Sequence, residues 1–259
     1  MRCGSCSSTR ATRVTTLPQA IVTVTLVTAL LPHMSRAVIE QRISDLRADL
    51  SRALRVSGVV IVPAAFAFLA FGPRIARLLF AHGTTDVAAV LPLGHMLQAF
   101  GLGLIPFSAQ YLFLRGFYAF DDTRTPFHLS LWISGTNIAL ATACHLLLPP
   151  RWAVTGMAAA YALSYGIGLI LTVLRLRRRT QGLLDGRRIC RTYGKLTAAA
   201  ALAGAAGWLV AAGCTNGLAA HFRAPILSLA AGGLTMALLF VLLARLLRIG
   251  ELRAVPGVR

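Results

Sequence analysis

The sequence predicts an all-α integral membrane protein with about seven transmembrane helices. Of its 259 residues, 56% are hydrophobic and only 13% are charged, whereas a soluble domain carries about 25% charged residues. The apolar residues are grouped in long runs, and no charged residue interrupts them before Arg245 in the last run. Segments embedded in lipid must satisfy their own backbone hydrogen bonds, which favours helices. This composition excludes a soluble enzyme, a disordered chain and a disulfide-stapled secreted domain.

The predicted spans follow one another along the whole chain. They cover residues 17–31, 56–71, 87–114, 127–148, 152–174, 196–212 and 225–247. The first is short, because a helix needs roughly 20 apolar residues to cross a bilayer. Four prolines inside these runs predict bends, since proline removes a backbone hydrogen bond from a helix; they are Pro18, Pro63, Pro92 and Pro106. Such bends are found in transporters that open alternately and also in static bundles.

The domain organisation follows from these spans. Residues 1–16 are polar and lack the apolar core of a signal peptide, so we expect an unstructured or mis-called start. Residues 17–174 are expected to form a transmembrane bundle, and residues 175–195 a basic cytoplasmic loop. The last two transmembrane helices then occupy residues 196–247, and residues 248–259 form a cytoplasmic tail.

The distribution of basic residues predicts the orientation. The formal net charge is +18. If the carboxyl terminus lies in the cytoplasm, the segments placed inside carry 19 basic residues and the outside loops carry 4. The inside segments are 33–55, 115–126, 175–195 and 245–259. The positive-inside rule therefore favours a multi-pass protein of the cytoplasmic membrane with a cytoplasmic carboxyl terminus. Because the charges alternate with apolar runs, nucleic acid is not an expected partner.

Two stretches resemble sequences of a known family. Residues 112–126 read Leu-Phe-Leu-Arg-Gly-Phe-Tyr-Ala-Phe-Asp-Asp-Thr-Arg-Thr-Pro, which resembles the signature R-x-FYA-x-x-DT-x-TP. Leu17 and Pro18 begin an apolar run that ends at Pro32 and is followed by Met34, Ser35 and Arg36, similar to the helix end LP-x-LSR. Both patterns are typical of the lipid II flippase family MurJ/MviN, whose superfamily also includes multidrug and polysaccharide exporters.

The resemblance implies that residues 17–250 correspond to the second lobe plus the last two helices of a fourteen-helix flippase. The charge count agrees, because helix eight of fourteen enters the membrane from outside. An odd number of spans, with no signal to export the amino end, also predicts that this chain is the back part of a longer transporter.

The function implied by the resemblance is transport of the lipid-linked peptidoglycan precursor, lipid II, across the cytoplasmic membrane for cell-wall synthesis. The partners implied are lipid II, membrane lipids and the cell-wall synthesis machinery. Two alternatives stay open, a multidrug or polysaccharide exporter and an inactive membrane fragment. Exporters usually need a carboxylate inside the membrane, and all eight acidic residues lie outside the predicted spans. Catalytic motifs are absent from the sequence, and the one spacing typical of metal ligands, Cys3 to Cys6, has no partner pair elsewhere. We therefore expect neither an enzyme nor a cofactor or metal.

Arginines are the candidate cavity residues. The resemblance implies substrate-cavity roles for Arg55, which begins the second span, and for Arg13, five residues before Pro18. A guanidinium group suits the pyrophosphate of lipid II because it donates two parallel hydrogen bonds and keeps its charge. The alternative for Arg55 is an anchor whose charged head reaches the cytoplasmic interface.

The signature supplies the candidate gate residues. These are Arg115, Phe117, Tyr118, Asp122, Thr123, Thr125 and Pro126. One interpretation is a hinge and charge cluster at a cytoplasmic gate. The other is a well-formed helix junction, in which Thr123 and Thr125 cap the next helix and Pro126 occupies its first turn.

Small residues in the spans predict close helix packing. The relevant residues are Gly156 with Ala160, Gly204 with Gly207, and Gly232 with Gly233. A groove for a lipid tail, which the family places near its last two helices, is the alternative. His95 lies inside a span and is expected to be a hydrogen-bonded interior residue or, alternatively, a proton site.

Overall fold

The computed structural model describes residues 36, 38–80, 87–179, 186–217 and 224–247. Throughout these ranges the chain forms long helices joined by short connections, and they contain no strand. In chain order the helices are α1 (Ile43–Phe80), α2 (Val87–Ala119), α3 (Arg124–Leu147), α4 (Pro150–Arg179), α5 (Gly186–Gly217) and α6 (Ala224–Leu246). The predicted span 17–31, Arg13 and the tail 248–259 lie outside the described residues.

Five of these helices confirm the predicted fold class. α1, α2, α4, α5 and α6 are each long and apolar enough to cross a membrane. α3 is not among the five, although its 24 residues are enough for a span. Serine, threonine, asparagine and histidine side chains lower its apolar content. Its Leu131, Trp132 and Ile138 side chains are nevertheless exposed on the bundle surface, as expected for a helix that faces lipid.

The helices extend beyond the apolar runs that predicted them. α1 begins at Ile43, so most of residues 33–55, the segment predicted to lie on the cytoplasmic side before the second span, is helical. α4 continues to Arg179 and α5 begins at Gly186, so most of residues 175–195, the predicted basic cytoplasmic loop, extends these two helices. An apolar run marks only the part of a helix inside the lipid, whereas arginine and leucine favour helix beyond it.

α1 is shared by the two main clusters of buried side chains. In the first cluster, Leu46 and Leu50 of α1 meet Phe117 of α2 and Leu176 of α4. In the second, Val59, Val62 and Phe71 of α1 pack against α5 and α6. α4 also lies against both α2 and α3. The bundle is therefore built around α1, with α2, α3 and α4 on one side and α5 and α6 on the other.

Glycines allow two helix pairs to approach closely. A methyl group on Gly232 of α6 would lie 2.6 Å from the carbonyl oxygen of Gly207 on α5. A methyl group on Gly156 of α4 would lie 2.8 Å from the Leu148 side chain after α3. The prediction of close packing is confirmed at these positions. It was wrong for Gly233, where an added methyl group would meet no atom of the described residues within 4 Å.

A side chain from the neighbouring helix replaces the hydrogen bond that one proline removes. Pro73 lies inside α1 and has no N–H to donate to the carbonyl group of Leu69, four residues earlier. The Gln98 side chain of α2 donates its Nε2 hydrogen to that carbonyl oxygen at 2.7 Å. Gln98 Oε1 in turn lies 3.1 Å from Nδ1 of His95. His95 is thus a hydrogen-bonded interior residue, one of the two roles expected for it.

Candidate functional site

The basic segments of the chain lie at one end of the bundle. Arg179, at the end of α4, pairs with Asp122 in the α2–α3 turn. Lys195 of α5 donates from Nζ to the carbonyl oxygen of Leu247, after α6, at 3.1 Å. The first core cluster joins the beginning of α1 to the ends of α2 and α4. We call this end of the bundle the basic end.

The α2–α3 turn is built by its own sequence. Asp121 adopts the left-handed conformation, with φ of 54°, which aspartate tolerates better than most residues. The Asp122 N–H donates to the carbonyl oxygen of Phe117 and the Asp121 N–H to that of Tyr118, both at 3.1 Å. These bonds satisfy the last carbonyl groups of α2 and end that helix. The signature therefore encodes a sharp helix stop.

Asp122 also begins the next helix. Its carboxylate accepts a hydrogen bond from the Thr125 N–H at 3.0 Å and another from Thr125 Oγ1 at 2.8 Å. Thr123, at the cap position, makes no capping bond through its side chain, so the prediction that the threonines cap α3 was wrong. Asp122 caps it, because its carboxylate accepts both bonds. Pro126 lies buried in the first turn of α3, as predicted.

An ion pair ties this turn to α4. Arg179 Nη2 lies 2.9 Å from Asp122 Oδ2, and the side chains are 57% and 11% exposed, respectively. We call Asp122, Thr125 and Arg179 the clasp. The hydrogen bonds from Thr125, followed by the charge of Arg179, hold the pKa of the Asp122 carboxyl group below its usual value. Arg179 was not predicted, because no sequence spacing relates it to a residue 57 positions earlier.

The other signature residues do not join the clasp. The Arg115 guanidinium lies over the Tyr111 ring at 4.7 Å and over the Tyr118 ring at 5.5 Å, and it donates to the Tyr111 hydroxyl group. Phe117 is fully buried in the first core cluster. The signature thus divides into a core residue, a stacked arginine and a capping carboxylate.

Arg55, the candidate cavity residue, is half-buried in α1. Its Nε donates to the carbonyl oxygen of Ser51, one turn earlier in the same helix, at 3.1 Å. One turn later, Gly58 packs against the Tyr193 ring of α5, and the Tyr193 hydroxyl group donates to the carbonyl oxygen of Leu54. Arg55 therefore lies next to the α1–α5 contact near the basic end.

An apolar groove opens between α1 and α5. Its volume is about 510 Å³, and its lining is Phe66, Leu69, Ala70, Ala201, Gly204, Ala205, Trp208 and Leu209. Gly204 leaves room beside Ala70, whose Cβ would lie 3.8 Å from an added methyl group. The guanidinium of Arg74 lies 5.8 Å from the Trp208 ring centre, at the end of the bundle opposite the basic end. A groove of this kind can hold a hydrocarbon chain, with a cation at its mouth.

The described residues contain no group of three His, Cys, Asp or Glu side chains arranged to hold a metal ion. Arginine, tyrosine and amide groups in these residues lie beside apolar surfaces, an arrangement that can bind a ligand with polar and apolar parts.

Comparison with known proteins identifies related sequences. The family model described as "Lipid II flippase MurJ" matches residues 2–247. A probable lipid II flippase MurJ of Rhizobium meliloti is 31% identical over 161 residues, which are 62% of this chain and 29% of that protein. The lipid II flippase MurJ of Burkholderia cenocepacia is 30% identical over 166 residues, 64% of this chain and 31% of that protein.

A solved structure shares the fold. It is the structure titled "Lipid II flippase MurJ, inward closed conformation", which superposes with a TM-score of 0.65 at 19% sequence identity. The match covers 92% of this chain and 46% of the solved chain. The chain thus spans about a third of the curated relatives and just under half of that structure.

Proposed function

The chain belongs to the lipid II flippase MurJ family, and from that membership we propose that it takes part in transporting lipid II across the cytoplasmic membrane for cell-wall synthesis. The single observation that carries the proposal is the family match over residues 2–247. Lipid II and membrane lipids are its proposed partners, and the cell-wall synthesis machinery is a further predicted partner.

The two ends of the bundle suit the two parts of this cargo. Lipid II carries an anionic pyrophosphate and a long polyprenyl tail. The basic end offers arginines, which bind phosphate through paired hydrogen bonds, and the groove offers an apolar channel of about 510 Å³. In this proposal Arg55 and Arg13 bind the pyrophosphate, and the clasp fixes a helix junction at the basic end. Residues 17–174 form the carboxyl-terminal lobe in this proposal, and α5, one of the last two helices, forms the groove for the tail together with α1.

The proposed orientation places the basic end in the cytoplasm. The chain provides its own probes, because Cys190 and Cys214 lie near opposite ends of α5. In variants that keep one of these cysteines and have serine at the other cysteine positions, a membrane-impermeant maleimide is applied to intact spheroplasts. We expect Cys214 to react from outside and Cys190 to react only after permeabilisation. The reverse pattern would contradict the orientation.

Complementation tests the function. The chain is expressed in cells depleted of their own lipid II flippase, alone and together with the amino-terminal part of a related flippase, and growth is measured. We expect growth to be restored in at least one of these two conditions. Failure in both, with the chain present in the membrane, would contradict the proposal.

The same assay tests Arg55. Arg55→Glu should abolish the restored growth while the protein stays in the membrane, because the reversed charge repels the pyrophosphate. Arg52→Glu is the matched control, since Arg52 lies one turn away on α1 with an exposed side chain and should support growth. Equal growth of both variants would eliminate the assignment of Arg55.

A further inference from the structure

A polar pocket lies between α2, α3 and α4. α2 and α3 each pack along α4 but contact each other only weakly, which leaves a gap beside the basic half of the bundle. The gap has a volume of about 150 Å³ and is lined chiefly by Phe107, Gln110, Tyr111, Ser130, Ser134 and Tyr165. We call this gap the Gln110 pocket. It is separate from the apolar groove, which α1 and α5 form on another face.

Gln110 is the informative residue of this pocket. Its side chain is 2% exposed, and neither Nε2 nor Oε1 has a hydrogen-bond partner in the part of the chain that the structure describes. A buried amide without partners destabilises a fold. Gln98, on the same helix, shows the usual arrangement, with both amide atoms engaged by His95 and Leu69. Gln110 therefore has unused hydrogen-bonding capacity beside the pocket.

The chemistry of the lining indicates the kind of ligand. The Gln110 amide supplies two donors and one acceptor, and the serine and tyrosine hydroxyl groups supply more of both. Phe107 and Tyr165 meet edge to face, with ring centres 4.8 Å apart, and form an aromatic wall. None of the side chains that line the pocket is charged. Aromatic faces next to amide and hydroxyl groups suit a sugar ring, whose C–H groups stack on aromatic rings while its hydroxyl groups form hydrogen bonds.

The size and opening agree with this chemistry. A volume of about 150 Å³ suits one monosaccharide ring rather than a longer saccharide. Ser130 and Ser134 lie one turn apart on α3 with exposed side chains, so the pocket is open on that side. A ligand can enter there without displacing the core around Phe117.

We propose that the Gln110 pocket binds one uncharged sugar ring of the lipid-linked saccharide that the protein transports. This inference rests on the proposed function and adds to it a residue that distinguishes a glycosylated cargo from a bare one. Gln110 bonds the hydroxyl or acetamido groups of the ring, while the aromatic wall contacts its face. The pyrophosphate and the tail bind elsewhere.

The test compares two probes on the full chain in lipid nanodiscs. One probe is a polyprenyl pyrophosphate that carries a single N-acetylhexosamine, and the other is the same polyprenyl pyrophosphate without sugar. Gln110→Leu should weaken binding of the first by about tenfold, the usual effect of losing hydrogen bonds to a ligand, and leave binding of the second unchanged. Ser134→Ala should give a smaller selective loss.

A matched control separates binding from folding. Gln98→Leu removes an amide of the same size from the same helix, but that amide already has partners. It should lower the thermal stability and leave the ratio of the two affinities unchanged. Gln110→Leu should instead keep or raise the thermal stability, because it removes an unpaired buried amide.

Four outcomes would overturn the inference. If Gln110→Leu weakens both probes equally, or weakens neither, Gln110 does not contact the sugar. If the unmodified chain binds both probes with the same affinity, the pocket is not a sugar site, although the proposed function stands. If the unmodified chain binds neither probe, both the inference and the proposed function fail.

Discussion

Removing the clasp should lower the free energy of unfolding by an amount that follows from the contacts it makes. Arg179→Gln removes an ion pair whose arginine is 57% exposed, and exposed pairs contribute about 0.2–1 kcal/mol, so we expect a loss of about 0.5 kcal/mol. Asp122→Ala also removes both hydrogen bonds that cap α3. A lost cap costs about 1 kcal/mol, so this variant should lose about 1.5 kcal/mol.

A double-mutant cycle isolates the ion pair. The free energy of unfolding is measured in detergent micelles for both single variants and for the double variant. Once Asp122 is alanine, Arg179→Gln should have no further effect. Arg178→Gln is the control, because Arg178 is exposed on the same turn of α4 and should change stability little. Two results would refute the reasoning. One is a loss of stability for Arg178→Gln as large as that for Arg179→Gln. The other is an effect of Arg179→Gln that is as large in the Asp122→Ala variant as in the unmodified chain.

Two further predictions concern pH and helix packing. The pKa of Asp122 is lower in the folded than in the unfolded chain. The stability that the Asp122 carboxylate contributes should therefore be complete above the unfolded pKa of about 3.9 and disappear as pH falls through the folded pKa. The Asp122→Ala variant should lack this pH-dependent loss of stability when it is unfolded by acid. Gly232→Ala should lower the free energy of unfolding by about 1–2 kcal/mol, because its methyl group meets the Gly207 carbonyl oxygen. Gly233→Ala, facing open space, should raise it by up to about 1 kcal/mol; equal effects of the two changes would contradict the packing.

The spans were predictable because lipid imposes a simple rule on composition. Long runs without charge identified every described helix, because only an α-helix makes all its backbone hydrogen bonds within one segment. The ends were not predictable from apolar content. Arg175 to Arg179 continue α4 as helix, because the charged side chains lie beyond the lipid while the backbone keeps its helical bonds. α3 also shows that a helix of the right length can carry many polar residues.

The site was predictable only where neighbours in sequence are neighbours in space. The α2–α3 turn follows from adjacent residues, and its place at a helix junction was predicted together with Pro126. Arg179 was missed, because its approach to Asp122 depends on how α4 packs. Gln110 was missed for a similar reason. A glutamine in an apolar run has no motif, and its unpaired amide is apparent only once α3 and α4 surround it.

The central claim is that this bundle binds an anionic polyprenyl lipid and contacts both the charged group and the hydrocarbon tail of that lipid. The most direct test measures binding of fluorescent lipid II to the purified chain in nanodiscs, with unlabelled competitors. We predict that polyprenyl pyrophosphate displaces the probe at least about tenfold more effectively than the uncharged polyprenol of the same length, because the proposed arginine site would bind the pyrophosphate. Absence of binding, or equal displacement by the two competitors, would contradict the claim.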